Sequence, residues 1–109
     1  MKNDGWTPAL VAAQNGHLEV LELLVEECNA DVNQAAADGA TPSQVAAENG
    51  HLAVLRLLVE KGADVNRAAK NGETPAHVAA YYGHLGMLRL LVEKGNADVN
   101  QATKDGTTP

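Results

Sequence analysis

Histidine and cysteine are the side chains in this 109-residue chain best suited to chemistry near neutral pH, and it holds four histidines and one cysteine. His17, His51 and His84 recur at a nearly constant separation, each between a glycine and a leucine. Such a triplet invites a metal-ligand reading. Residues that recur once per structural unit sit on successive units, however, and packed helices lie roughly 8–10 Å apart. Zinc needs its ligands at about 2 Å, so one ion cannot gather them. Hydrogen bonding at the turn they share is the stronger reading. His77 lies three residues after Thr74 and is expected to bond locally at a helix cap. Cys28 has no second cysteine, which rules out a disulfide within the chain, a dithiol couple and a CxxC zinc site. No Ser/His/Asp or Cys/His grouping stands apart from the recurring frame, and no glycine-rich phosphate loop is present. The expectation is a non-enzymatic protein with no cofactor and no metal.

The aromatic residues form a second small set. Trp6, Tyr81 and Tyr82 are all there are, and phenylalanine is absent. The apolar supply is Ala, Val and Leu, which suits thin layers of small side chains better than one thick core. A net charge of −6 argues against nucleic acid, whose phosphates select basic faces. No run of 18 apolar residues exists to span a membrane. The first residues, "MKNDGWTP", lack the apolar centre of a secretion signal. With its single cysteine, the chain is expected to be intracellular, in a reducing compartment such as the cytoplasm.

Elements that could position these residues emerge from internal repetition. "DGWTPALVAAQNGHLEVLELLVEECNADVN" is followed by "DGATPSQVAAENGHLAVLRLLVEKGADVN", then by "NGETPAHVAAYYGHLGMLRLLVEKGNADVN" and the fragment "DGTTP". Thr7, Thr41, Thr74 and Thr108 recur with a period of roughly 33 residues. The first and third spacings are the longer ones, and Asn29 and Asn96 are the single-residue insertions behind them. In each copy Thr-Pro starts a short Ala-rich helix, with Thr as cap and Pro in the first turn. Gly16, Gly50 and Gly83 end it. A second helix starts at about Leu18, Leu52 and Leu85. Gly62 and Gly95 are expected to stop it in the second and third copies, with Asn29 taking that role in the first. A loop then closes on Asp38-Gly39, Asn71-Gly72 or Asp105-Gly106, pairs that favour tight hairpin turns. The second helix is apolar on too many sides for one stripe, as Leu52, Val54, Leu55, Leu57, Leu58 and Val59 show. A helix pair of this kind buries itself only by stacking on neighbours.

The "TP…AA..GHL…LLVE.GADVN" elements resemble the ankyrin repeat family over almost the whole chain. The usual T-P-L-H departs here to Ala9, Ser43 and Ala76 at the leucine and to Leu10 and Gln44 at the histidine, which survives only as His77. The aspartate that usually opens a repeat is replaced by Ala36, Ala69 and Thr103. The resemblance implies one all-α domain over residues 1–109. It would be a solenoid of antiparallel helix pairs joined by β-hairpin-like loops, with repeats at about 2–35, 36–68 and 69–102 and a partial one at 103–109. It further implies binding of another protein through a concave face of hairpin tips and first helices.

Specificity is then expected where the copies disagree. Those positions are Gln14-Asn15, Glu48-Asn49 and Tyr81-Tyr82 before the Gly-His turns, with Trp6, Ala40 and Glu73 beside the Thr-Pro pairs. Asp38, Lys70 and Asn71 join them at the hairpin tips, as do Asn3-Asp4, Lys104-Asp105 and Thr107. Gln14 and Glu48 fill the equivalent of Tyr81, and Asn15 and Asn49 that of Tyr82; a buried site would not accept these polar residues readily. The tyrosine pair is therefore expected to be exposed and central to partner binding, a structural role for it or for Trp6 being the alternative. Asn66, in "LVEKGADVN", resembles the target of asparaginyl hydroxylases; a structural loop asparagine is the plainer reading.

A second functional class concerns the ends. Val11, Leu18 and Val20 lie where a preceding repeat would pack, and the chain stops at Pro109 as a helix should start. Self-association by head-to-tail stacking of uncapped ends, in a structural segment or an engineered repeat scaffold, is the alternative to partner binding. Charge is uneven, at −5 over residues 1–37, 0 over 38–70 and −1 over 71–109. A solvated helix face accounts for the acidic first repeat as well as a basic partner does.

Overall fold

A computed structural model of the chain describes residues 5–100. The fourth Thr-Pro pair, the partial repeat 103–109, Asn3-Asp4, Lys104-Asp105 and Thr107 lie outside the described residues. Six helices form three pairs: α1 (Pro8–Asn15) with α2 (Leu18–Glu27), α3 (Pro42–Glu48) with α4 (Leu52–Glu60), and α5 (Pro75–Tyr82) with α6 (Leu85–Glu93). The inner helices α1, α3 and α5 form one layer and the outer helices α2, α4 and α6 the other, each touching its neighbours in sequence order.

Threonine starts every inner helix as the sequence requires. Thr7, Thr41 and Thr74 are extended, and their hydroxyls accept the backbone N–H of Leu10, Gln44 and His77. Proline follows in the first turn, where an N–H would have no partner. Gly16, Gly50 and Gly83 adopt the left-handed conformation at the far end.

The outer helices end differently from expectation in one copy. Gly62 is left-handed at φ 87°, but in the third repeat that conformation falls on Asn96, at φ 58°, and not on Gly95. Asn29 takes it in the first, at φ 56°. The reason is a closing bond that recurs in every repeat. Ala30, Ala63 and Ala97 each donate their N–H to the carbonyl of an equivalent leucine, Leu24, Leu58 or Leu91. An inserted residue lengthens that loop by one and moves the reversal to the asparagine. Gly95 serves close packing instead: a Cβ there would lie 2.9 Å from the Leu91 carbonyl oxygen and 3.2 Å from the Val65 side chain.

The core is built where the repeats meet. Leu21, Leu55, Leu58 and Leu91 are fully buried, with Ala12, Ala13, Ala46 and Ala47 letting the inner helices approach closely. Covering by a preceding repeat is decisive for the outer helices. Val54 and Leu57 are 1% and 6% exposed, whereas their first-repeat equivalents Val20 and Leu23 are 49% and 50% exposed. Full burial of such a side chain stabilises by about 1.5–3 kcal/mol, so the first pair contributes least. Of the residues expected on that open side, Val20 stands there, but Leu18 does not. Its equivalent Leu52 faces forward, where a Cβ on Gly86 would lie 3.7 Å from it.

Candidate functional site

The loops between repeats form fingers, and no strand occurs among the described residues. In the two fully described fingers the glycine N–H returns to an alanine carbonyl (Gly39 to Ala36 at 2.9 Å, Gly72 to Ala69 at 2.8 Å). The same alanines donate to Ala40 and Glu73 carbonyls. This is a three-residue reversal with glycine at its left-handed position, one residue longer than the two-residue turn suggested by Asp-Gly. Asp38 and Asn71 stiffen the reversal, accepting the N–H of Ala40 and Glu73 at 3.0 and 2.9 Å. Successive fingers also bond each other: Lys70 donates its N–H to the Asp38 carbonyl at 3.0 Å.

Buried polar side chains fix each finger against the inner helices. The Gln44 Oε1 accepts the Thr41 N–H at 3.2 Å, completing a reciprocal cap, and its amide nitrogen donates to the Glu73 carbonyl of the next finger. His77 builds the same cap in the third repeat, its Nδ1 accepting the Thr74 N–H at 3.1 Å. Local bonding at Thr74 is thus observed as expected. Gln44, a departure from the usual motif, reproduces what His77 does and adds a bond between repeats.

The fingers and inner helices enclose one groove. Trp6, Asp38, Ala40, Ala69, Asn71 and Glu73 line it from three successive fingers, and Gln14, Gln44, Val45, Glu48 and Val78 from the inner helices. Seven variable positions therefore converge: Trp6, Gln14, Asp38, Ala40, Glu48, Asn71 and Glu73. Trp6 is half-buried and packs on the core through its ring while remaining part of the groove wall. Gln44 and Ala69 stand out in the sequence only as departures from the family motif, and Val45 and Val78 not at all, because all four sit at framework positions. The Thr-x-x-Gln spacing of a reciprocal cap was the one signal that could have found Gln44.

Five variable residues do not line the groove. Asn15 and Asn49 end inner helices, each donating its side-chain amide to a carbonyl one turn back. Lys70 is exposed at a finger tip. Tyr81 and Tyr82 are 83% and 50% exposed, so neither is a core residue. Their rings meet edge to face at 5.0 Å, and Tyr82 stacks on His84 at 5.9 Å. They form an aromatic patch on the last turn of α5 and are not among the residues that line the groove.

The recurring histidines do not share a role. His51 donates from Nε2 to the Gln14 carbonyl at 3.0 Å, bonding the repeat before it instead of its own turn. His84 stacks on Tyr82, and His17 is exposed. No group of three His, Cys, Asp or Glu side chains among the described residues could hold a metal ion. Asn66 bridges repeats: its Oδ1 accepts the Asp98 N–H at 2.7 Å and its amide donates to the Asn96 carbonyl at 3.1 Å. Asn33 accepts the Asp64 N–H in the same way. No helix among the described residues is long and apolar enough to cross a membrane.

A family model described as ankyrin repeats in three copies matches residues 1–69, and one described as ankyrin repeats in many copies matches residues 58–109. No curated protein gives a match. Stacked helix pairs, finger-like reversals and both matches agree, and the chain belongs to the ankyrin repeat family, whose repeats are generally protein–protein interaction modules.

Proposed function

We propose that this chain is a non-catalytic binding module that holds a partner protein in the groove between its fingers and inner helices. One observation carries the reading: seven of the positions at which the copies differ line a single groove. Packing accounts for the residues shared by all copies, whereas these seven are free to vary and are gathered on one concave surface. Concave sites with a few convergent polar groups are the usual places for recognition. Trp6 supplies the aromatic anchor typical of interface centres. Tyr81 and Tyr82 extend the contact surface at its edge.

The test is selection of binding peptides from an unbiased displayed library, followed by titration against groove and patch variants. Ala40→Arg, which fills the groove from an existing finger, should abolish binding of most selected peptides. Tyr81→Ala with Tyr82→Ala should weaken it less. Peptides indifferent to Ala40→Arg would place recognition elsewhere.

Self-association is favoured by a separate observation, the half-exposed Val20 and Leu23 on the first repeat. These apolar side chains occupy positions that are buried between repeats further along the chain. Light scattering over a wide concentration range tests this reading, and a strict monomer throughout would remove it.

A further inference from the structure

We infer that the groove selects an extended partner segment carrying arginine or lysine; the inference rests on the groove being the binding site and names the chemistry of its occupant. Three carboxylates, Asp38, Glu48 and Glu73, lie among the lining residues, and no lysine or arginine does. None of the three pairs with a lysine or arginine among the described residues, where the ion pair is Lys61–Glu26, between α2 and the end of α4. Asp38 spends one oxygen on the Ala40 N–H of its own finger and keeps the other. Lys70 stands at a finger tip, exposed, outside the groove wall.

The remainder of the lining suits the stems of such side chains. Val78 and the Trp6 ring, both partly exposed, offer apolar surface beside the carboxylates. Arginine and lysine lay their methylenes on apolar surface while their charged heads reach polar groups, and a guanidinium also stacks favourably on an indole face. An acidic groove with aromatic and branched aliphatic walls is therefore complementary to a basic segment in both charge and shape. Carboxylates drawn from two fingers and one inner helix are spread along the stack, so a segment running across the repeats meets them in turn. Charge of one sign in a concave site also concentrates the oppositely charged partner before contact.

Trp6 is the sole tryptophan, so its fluorescence reports groove occupancy without a label. Three ten-residue peptides that alternate valine with arginine, glutamine or glutamate would be titrated against the full chain. The arginine peptide should bind most tightly and lose affinity as salt is raised, since screening weakens exposed charge pairs. Glu48→Gln and Glu73→Gln should each weaken it roughly two- to fivefold, the range set by exposed ion pairs, and flatten its salt dependence. Both side chains are exposed, so neither variant threatens folding. Equal affinity for the arginine and glutamine peptides, or no effect of the two variants, would overturn the inference. The library selection separates its failure from failure of the site. Non-basic peptides that still perturb Trp6 and are lost in Ala40→Arg overturn the charge preference alone. Selected peptides that bind without perturbing Trp6 overturn the groove as the site.

Discussion

Removing the Gln44 side chain would test how the groove is held open. Gln44 is 5% exposed and joins three elements: its own helix cap, the inner helix α3 and the finger that carries Glu73. In Gln44→Ala the Thr41 N–H, on a residue 1% exposed, loses its acceptor. An orphaned buried donor costs about 1–3 kcal/mol. Loss of the buried side-chain stem adds about 0.8 kcal/mol per methylene. The glutamine rotamers freed by truncation return about 1.5–2 kcal/mol. The Glu73 carbonyl keeps its bond from Ala69, so it adds little. The central values sum to a net destabilisation of about 1 kcal/mol, a fall in Tm of roughly 4–8 °C for a chain of this size. Gln44→His should recover at least half of this, because His77 forms the same reciprocal cap in the third repeat. Urea denaturation followed by circular dichroism gives the energies, and hydrogen exchange at the Thr41 amide gives the local effect. An unchanged midpoint in Gln44→Ala, or a histidine variant no better than alanine, would refute this account of the cap.

Three further outcomes follow from the same geometry. Ser43→Ala should raise stability by about 1 kcal/mol, since the Ser43 hydroxyl is buried with no hydrogen-bond partner among the described residues and Ala9 and Ala76 fill its equivalents; thermal denaturation decides this. Gly39→Ala should cost at least about 1–2 kcal/mol, because φ there is +84° and a Cβ would sit 3.0 Å from the Ala69 Cα and the Lys70 nitrogen; a midpoint within error of the parent would contradict it. Tyr81→Ala with Tyr82→Ala should leave the midpoint within about 1 kcal/mol, since the lost edge-to-face contact, about 0.5–1.5 kcal/mol, is offset by the better helix propensity of alanine. A larger loss in urea denaturation would make the pair structural.

The sequence alone determined the architecture of this protein, because each element is specified locally. Thr-Pro caps a helix through bonds to its own first turn, and Gly before His reverses the chain through one residue's left-handed backbone. Repetition at a nearly fixed period then requires neighbours to stack, since no pair can bury both faces of its outer helix. It was enough to mark Trp6, Ala40, Glu48 and Glu73 as variable. Tertiary structure decided which variable residues meet. Tyr81-Tyr82 stand out in one dimension and are exposed at the end of α5, while residues from three fingers and three inner helices converge on the groove wall. The direction of a bond was equally hidden. His51, Gln44 and Asn66 each reach across to another repeat, and a partner a whole repeat away leaves no trace in local spacing. Where a helix truly ends was decided the same way: Asn96 reverses the chain because Ala97 must still reach Leu91, and Gly95 is small because Val65 lies against it.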